Sequence, residues 1–368
     1  MSDPFTFDPP PDDPLGVLTS TAPVAAQARH VRIVPEAVER FARAYTQQQA
    51  PAQAGGGAAR AAQGGDSPSP GPEQDLHCTF LPPRQFCNYL LVLEALNFCF
   101  WDSEPRWRVT YRGHTYDGYW ALAAALRRAI REDGAPVCDP YWLGRIELFQ
   151  LRQLLRGEGR CRPPPLLEAR QIHLREVGRV LAARWEGEFA NLVASCGGDA
   201  ATLAAKIVRE FSSFDDVAQW RGRPVLLHKR AQICAADLAR LMPEGGPQKP
   251  AGLERLTAFA DYKVPQVLRK EGVLLPAPAL AQKIDRGEPL AAGSEEEVEI
   301  RAATVWACEW IARALRRFAP PQGAAAAGRQ GVAAGGPRTA VEVDQLLWDA
   351  GQHKAGLPPY HRTRTVYY

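Results

Sequence analysis

The chain has 368 residues, 46% of them hydrophobic, with 44 Lys and Arg against 41 Asp and Glu for a net charge of +3. That length holds two domains or one large helical one, and the near balance of charge argues against the strongly basic face of a dedicated duplex-DNA binder. No apolar run reaches the length of a membrane span. The eight cysteines, scattered from Cys78 to Cys308, form no C-x-x-C pair. That spacing disfavours a structural zinc or an iron–sulfur cluster and fits reduced thiols. The start, Met1-Ser2-Asp3-Pro4, lacks the basic and apolar regions of a signal peptide. A cytoplasmic protein without a membrane partner is the expectation.

In chain order, residues 1–29 are rich in Pro and Asp and are expected to form a poorly ordered tail. Val38, Phe41, Ala42 and Tyr45 follow helical spacing and predict a helix over 35–48. Residues 50–73, of Ala, Gly, Gln, Ser and Pro, are expected to be a disordered insert, as is the similar stretch 319–338. Phe86, Tyr89, Leu90, Leu93, Leu96 and Asn97 mark a helix ending near Trp101. Trp107, Val109 and Tyr111 then alternate, and Arg112-Gly113 turns into Thr115-Tyr116, which predicts one small β-hairpin. Helices are expected at about 119–132, 140–155, 165–196, 199–212, 230–242, 253–260, 265–271, 276–286, 295–318 and 340–350. There is no βαβ alternation and no glycine-rich phosphate loop, which sets aside a Rossmann or P-loop fold. The expected fold is mainly α, a single helical domain over 30–368 interrupted by the two inserts.

The block Phe259-Ala260-Asp261-Tyr262-Lys263-Val264-Pro265 concentrates the chemistry. Pro265 suits a first helical turn, and Gly272 suits the end of the same short helix. Leu253, Leu256 and Phe259 space like the inner face of a preceding helix, so Asp261 is expected in a helix–turn–helix corner. A carboxylate just ahead of a helix N-terminus is favoured in its ionised form by the helix dipole. Two readings of Asp261 follow, a helix cap and an acid facing a cationic transition state. One carboxylate can serve both.

This block resembles the queuosine salvage family, the queuosine 5′-phosphate N-glycosylases. Leu96-Asn97-Phe98-Cys99-Phe100-Trp101, Tyr111-Arg112-Gly113, Tyr116-Asp117-Gly118-Tyr119-Trp120 and His228-Lys229-Arg230-Ala231-Gln232-Ile233 match it too. So do Glu297-Val298-Glu299-Ile300-Arg301, Asp344, Leu347-Trp348-Asp349, His361-Arg362 and Tyr367-Tyr368, all in family order. The resemblance implies a fold related to helix–hairpin–helix DNA glycosylases. It also implies hydrolysis of the N-glycosidic bond of a small-molecule substrate, queuosine 5′-phosphate, with no cofactor and no stable nucleic-acid partner.

The family's catalytic aspartate carries over onto Asp261, and its base-contacting aromatic onto Phe259, which on spacing alone is a core residue. Tyr262 belongs to the same motif. Queuine carries a cationic amine and a diol besides its base edge, and Asp344 and Asp349, bracketing Trp348, are the carboxylates for them. Spaced by five, the two cannot both point squarely inward, and Asp344 also suits a helix cap. His77 stands where the family has a histidine near the base, although Cys78 and the Pro82-Pro83 pair depart from the family pattern. For the phosphate, Lys229 and Arg362 are expected first, with Arg301 as a further cation or as an i,i+4 partner of Glu297. Trp101, Trp107, Trp120, Tyr111 and Tyr116 read as core and edge cover, and Asp215-Asp216 as a helix-ending turn. Two other functions stay open. One is a DNA-binding helix–hairpin–helix protein, disfavoured because Ala260–Val264 has no glycine to meet a DNA phosphate. The other is a non-catalytic helical scaffold.

Overall fold

A computed structural model describes residues 4–49, 76–101, 105–159, 161–318, 339–353 and 355–368. The two expected inserts lie outside the described residues. The architecture is mainly helical, as expected. The chain opens with α1 (Val17–Ala26), β1 (Val31–Ile33) and α2 (Pro35–Gln49), followed by α3 (Pro83–Ala95). A hairpin of β2 (Arg108–Tyr111) and β3 (His114–Asp117) leads into α4 (Gly118–Arg131). Next come α5 (Pro140–Leu143), α6 (Leu148–Leu154), α7 (Leu167–Arg184), α8 (Phe189–Ala194) and α9 (Ala200–Glu210). A second hairpin, β4 (Val217–Trp220) with β5 (Arg223–Leu226), precedes α10 (Lys229–Leu241). The last third holds α11 (Lys263–Lys270), β6 (Leu274–Pro276), α12 (Pro278–Asp285), β7 (Pro289–Leu290), α13 (Glu295–Phe318), α14 (Ala340–His353) and β8 (Arg362–Thr363).

The core is organised on α13, whose 24 residues are buried on nearly every face from Glu297 to Leu315. A helix buried on nearly every face must find partners for its polar side chains inside the protein, and α1, α2, α11 and α14 pack around this one. Its first turn carries Glu295, Glu296 and Glu297 and its last turn Arg316 and Arg317, the arrangement that the helix dipole favours.

The expected tail over 1–29 is corrected in part. Val17, Leu18, Thr21, Ala22 and Val24 of α1 are buried, and Trp306 Nε1 on α13 donates to Thr21 Oγ1 at 3.0 Å. Ahead of α1, the Phe7 ring lies 4.8 Å from Trp310 and 5.3 Å from Trp306. The proline-rich composition hid an apolar helical face, with Pro23 inside the helix itself.

The single expected hairpin becomes two. Arg112-Gly113 and Arg221-Gly222 both have φ above zero, at 48° and 81° and at 48° and 76°. Two left-handed central residues are what a two-residue turn needs to match strand twist. Two longer-range pairs add to these: β1 with β6, antiparallel, and β7 with β8, parallel.

Three expected helices are also corrected. The 140–155 helix breaks after Leu143, where Gly144 crosses Gly178 of α7 so closely that a Cβ on Gly178 would lie 2.2 Å from the Gly144 nitrogen. The 165–196 helix breaks at Glu186-Gly187, both with φ above zero. The 253–260 helix shrinks to a 3₁₀ turn at Leu253–Arg255, and the chain then runs extended to Asp261. The helical spacing of Leu253, Leu256 and Phe259 misled because the backbone here is satisfied by side chains. Thr257 N donates to Gln232 Oε1 (2.8 Å), Phe259 N to Asp344 Oδ1 (2.8 Å), and Ala260 O accepts from Arg301 Nε (3.2 Å). Helices α10, α14 and α13 thus each hold one residue of the segment. The helix–turn–helix corner expected around Asp261 is replaced by an extended lead-in to α11.

Candidate active site

A cavity of about 710 Å³ opens between α10, α14, the extended segment and the loops at the ends of α3 and the first hairpin. The segment after α3 forms one wall because two buried arginines grip the helix end, where carbonyls lack intrahelical partners. Arg230 Nη1 donates to Glu94 O (3.0 Å) and Ala95 O (2.9 Å). Arg170 donates to Leu96 O and Phe98 O, and at 3.1 Å to Cys99 O. Burial draws the Arg170 guanidinium down to about 9 and Arg230 down to about 10. This grip turns Asn97, Phe100 and Trp101 toward the cavity.

Asp261 lies on the cavity floor, 6% exposed. Its Oδ1 accepts the first two amides of α11, Lys263 N at 2.7 Å and Val264 N at 2.9 Å. The cap reading of the sequence is therefore realised, and through one oxygen. Oδ2 has no hydrogen-bond partner among the described residues. Asp344 of α14 lies beside it, 4% exposed, with Oδ1 accepting the Phe259 amide. It does not cap α14, whose first turn is closed by Thr339 and Glu342 instead. Burial, and then the charge of Asp261, push the Asp344 carboxyl well above the usual range. Lys229 opens α10, and burial lowers its ammonium from the ordinary lysine value against the pull of Asp261, Glu94 and Asp344. Its Nζ forms no ion pair among the described residues.

Phe259, Tyr262 and Trp348 line the cavity as aromatic surface. Trp348 meets Trp120 and Tyr119, each at 5.8 Å between ring centroids. His77 also lines it, 6.0 Å from Tyr119 and 5.9 Å from Trp120, and its burial lowers the imidazole from its ordinary value. His77 Nδ1, Trp101 Nε1 and Trp120 Nε1 are buried polar atoms without a hydrogen-bond partner among the described residues. Such groups are rare in folded proteins, and here three sit on residues lining one cavity. Asp349 stands at the rim, exposed, and accepts from Gln345 Nε2 at 2.9 Å.

Eight of the ten expected site residues meet at this cavity; Arg301 and Arg362 do not, and both expectations are corrected. Arg301 is inside the protein, clasping Asp216 at 2.9 and 2.5 Å and lying 3.7 Å from Glu297. It reaches the site from behind, through the Ala260 carbonyl and the Tyr368 ring. Neither a phosphate contact nor a surface ion pair describes it. Arg362 points outward from β8, with its guanidinium 5.8 Å from the Trp101 ring.

Besides Lys229, the cations Arg106, Lys263 and Arg240 reach the cavity; sequence reasoning missed Arg106 and Arg240 and noted Lys263 only for its place beside Asp261. Arg106 pairs with Asp117 at 3.0 Å and approaches the Tyr360 hydroxyl at 3.4 Å. Lys263 lies 5.5 Å from the Tyr360 ring, and burial lowers its ammonium. Asp237, 2.8 Å from Arg240, was also missed. A signal existed: Lys229, Ile233, Asp237 and Arg240 share one face of α10, and polar groups on an inward face are a departure from amphipathic order. Trp101 and Trp120, read as cover, are cavity walls, while Trp107 is core.

The family model described as queuosine salvage protein matches residues 77–368. A protein of Sphaerobacter thermophilus is 43% identical over 97% of this chain and 99% of its own length. A Bos taurus protein is 34% identical over 76% of this chain and 81% of its own, and one of Schizosaccharomyces pombe 27% identical over 76% and 82%. All three are named queuosine 5′-phosphate N-glycosylase/hydrolase. The chain belongs to the queuosine salvage protein family.

Proposed function

We propose that the chain hydrolyses the N-glycosidic bond of queuosine 5′-phosphate, releasing queuine and ribose 5-phosphate. The observation that carries this reading is Asp261 at the floor of the cavity, held through Oδ1 by two amides while Oδ2 has no partner among the described residues. As the base departs, C1′ and the ring oxygen gain positive charge, and a fixed carboxylate stabilises that state without having to reorganise. The same carboxylate orients the attacking water and takes its proton. Phe259 and Trp348 supply flat surfaces for the base. Asp237 and Asp349 suit the amine and diol of the substituent. Arg106 and Lys263, rather than Arg301 or Arg362, suit the 5′-phosphate.

The partner in this reading is a small molecule, and the chemistry calls on neither a membrane nor a nucleic acid. No helix among the described residues is long and apolar enough to cross a membrane. None of the eight cysteines is in a disulfide, which supports a reducing, cytoplasmic setting. Kinship with helix–hairpin–helix DNA glycosylases also belongs to the proposal. It is supported by an acid directly ahead of a short helix and weakened by the extended segment before it.

The test is chromatographic detection of queuine released from queuosine 5′-phosphate by the purified protein. Stoichiometric queuine and ribose 5-phosphate are expected. No release across pH 5–9 would sink the reading.

A further inference from the structure

The cavity floor holds two carboxyl groups in unlike surroundings. Asp261 accepts two amides through Oδ1. Asp344 accepts one, from Phe259, and its other oxygen has no hydrogen-bond partner among the described residues. Two neighbouring buried carboxyls do not both ionise readily, and their surroundings decide which one keeps its proton. The groups facing Asp344 are Asp261 from the segment before α11, Lys229 from α10, Cys308 from α13 and Asp349 on its own helix. Burial comes first and the Asp261 charge second in favouring the neutral form of Asp344, against the Phe259 amide and Lys229.

The substrate needs such a group. A 7-deaza base has carbon where guanine has N7, so it lacks the nitrogen at which purine leaving groups are commonly protonated. The developing negative charge falls on N9 and the neighbouring pyrimidine edge. We infer that Asp344 is the acid that protonates the departing base, a role that rests on the hydrolase reading above. The C1′–N9 bond breaks and its electron pair goes to N9. The Asp344 O–H proton passes to the N9–N3 edge of the base, leaving a carboxylate. Water attacks C1′ and gives its proton to Asp261. Transfer of that proton from Asp261 to Asp344 restores both groups, so substrate plus water becomes queuine plus ribose 5-phosphate with nothing left over.

The test compares 7-methyl- and 7-cyano-7-deazaguanosine 5′-phosphates, which share sugar and phosphate but differ in how readily the base leaves. Wild type, Asp344→Asn and Asp344→Ala are assayed from pH 5 to 10, with queuosine 5′-phosphate as reference. Wild type is expected to cleave the two analogues at similar rates, with kcat falling on the alkaline side. Asp344→Asn should lose about 100-fold in kcat on the methyl analogue and far less on the cyano one, the scale of a lost general acid. KM should stay within about threefold, and the alkaline fall should vanish. The Asn amide oxygen still accepts the Phe259 amide, so this variant carries the test if Asp344→Ala does not fold. An unchanged methyl-to-cyano ratio together with an unchanged alkaline limb would overturn the role of Asp344 and leave the hydrolase standing. No cleavage of queuosine 5′-phosphate by wild type would instead remove the reading on which the role depends.

Discussion

Two sets of buried charges lie about one residue apart in this molecule, and they are treated in opposite ways. Behind Ala260, every charge is matched. Arg301 clasps Asp216, lies against Glu297 and covers the Tyr368 ring at 4.6 Å. The Tyr368 hydroxyl donates to Glu297 at 2.9 Å and meets His361 Nε2 at 3.3 Å. In front of Ala260, Asp261 offers one oxygen, Lys229 its ammonium and Asp344 one oxygen to no partner among the described residues. A folded chain rarely leaves buried polar groups unmatched, so the unmatched set is reserved for something the protein binds. The matched set fixes the backbone from which the reserved set projects.

The comparison breaks if the two sets respond alike to mutation. Asp261→Asn should cut queuine release by about 10³-fold, as expected when fixed transition-state stabilisation is lost. Its stability should change by no more than about 1 kcal/mol, since Asn also caps helices well. Arg301→Met should do the reverse. It leaves the Asp216 carboxylate buried without its cation, at a cost of about 3–5 kcal/mol in chemical denaturation. Adding Asp216→Asn should restore part of that stability. An Arg301→Met protein as stable as wild type would mean that the rear network is not a frame.

Which parts were legible follows the same division. Helix α13 was expected at 295–318 and is observed there, because a long periodic segment contains its own evidence of burial. The cap by Asp261 was legible because it is local, two and three residues from its donors. Arg301 was not, because its decisive partner Asp216 lies 85 residues away, while the visible Glu297 four residues back suggested a surface pair. The 253–260 segment failed for a related reason: its anchors Gln232, Asp344 and Arg301 come from three distant helices. Arg106 and Tyr360 reach the cavity from loops, which have no periodicity to read. The second hairpin was legible after all, since Arg221-Gly222 repeats the turn of Arg112-Gly113.

Glu94 of α3, which feels the charges of Asp237 and Lys229, sharpens the contrast. It is fully buried; Oε2 accepts from Asn97 at 2.9 Å while Oε1 has no hydrogen-bond partner among the described residues. Burial, then the Asp237 charge, raises its carboxyl to about 8. The proton is therefore bound more tightly in the folded state than in the unfolded chain. Its stabilisation is complete below the unfolded carboxyl range and is lost as pH rises toward 8. Denaturation at pH 5, 6, 7 and 8 should show stability falling, and Glu94→Gln should flatten the fall by up to about 1.4 kcal/mol per pH unit. An identical slope in the variant would mean that Glu94 is ionised in the fold.

The phosphate end separates reserved cations from exposed ones. Arg106→Ala and Lys263→Ala should each raise KM for the nucleotide by about tenfold, the scale of one charge-assisted contact, while leaving the nucleoside unaffected. Equal losses on nucleotide and nucleoside would place the phosphate elsewhere.

The smallest expected effect discriminates most sharply between reading by sequence and reading by structure. Arg362 stands in a family-matched motif beside the buried His361, and on sequence grounds it was a leading phosphate ligand. In β8, however, neighbouring side chains alternate between the two faces. His361 and Thr363 are buried while Arg362 and Arg364 face out. Arg362→Ala should therefore change KM for the nucleotide by less than about twofold and stability by less than about 0.5 kcal/mol, as for an ordinary surface substitution. A selective tenfold rise in KM would show that β8 turns this side chain inward when phosphate binds, and would move the cation site from α11 to the end of the chain.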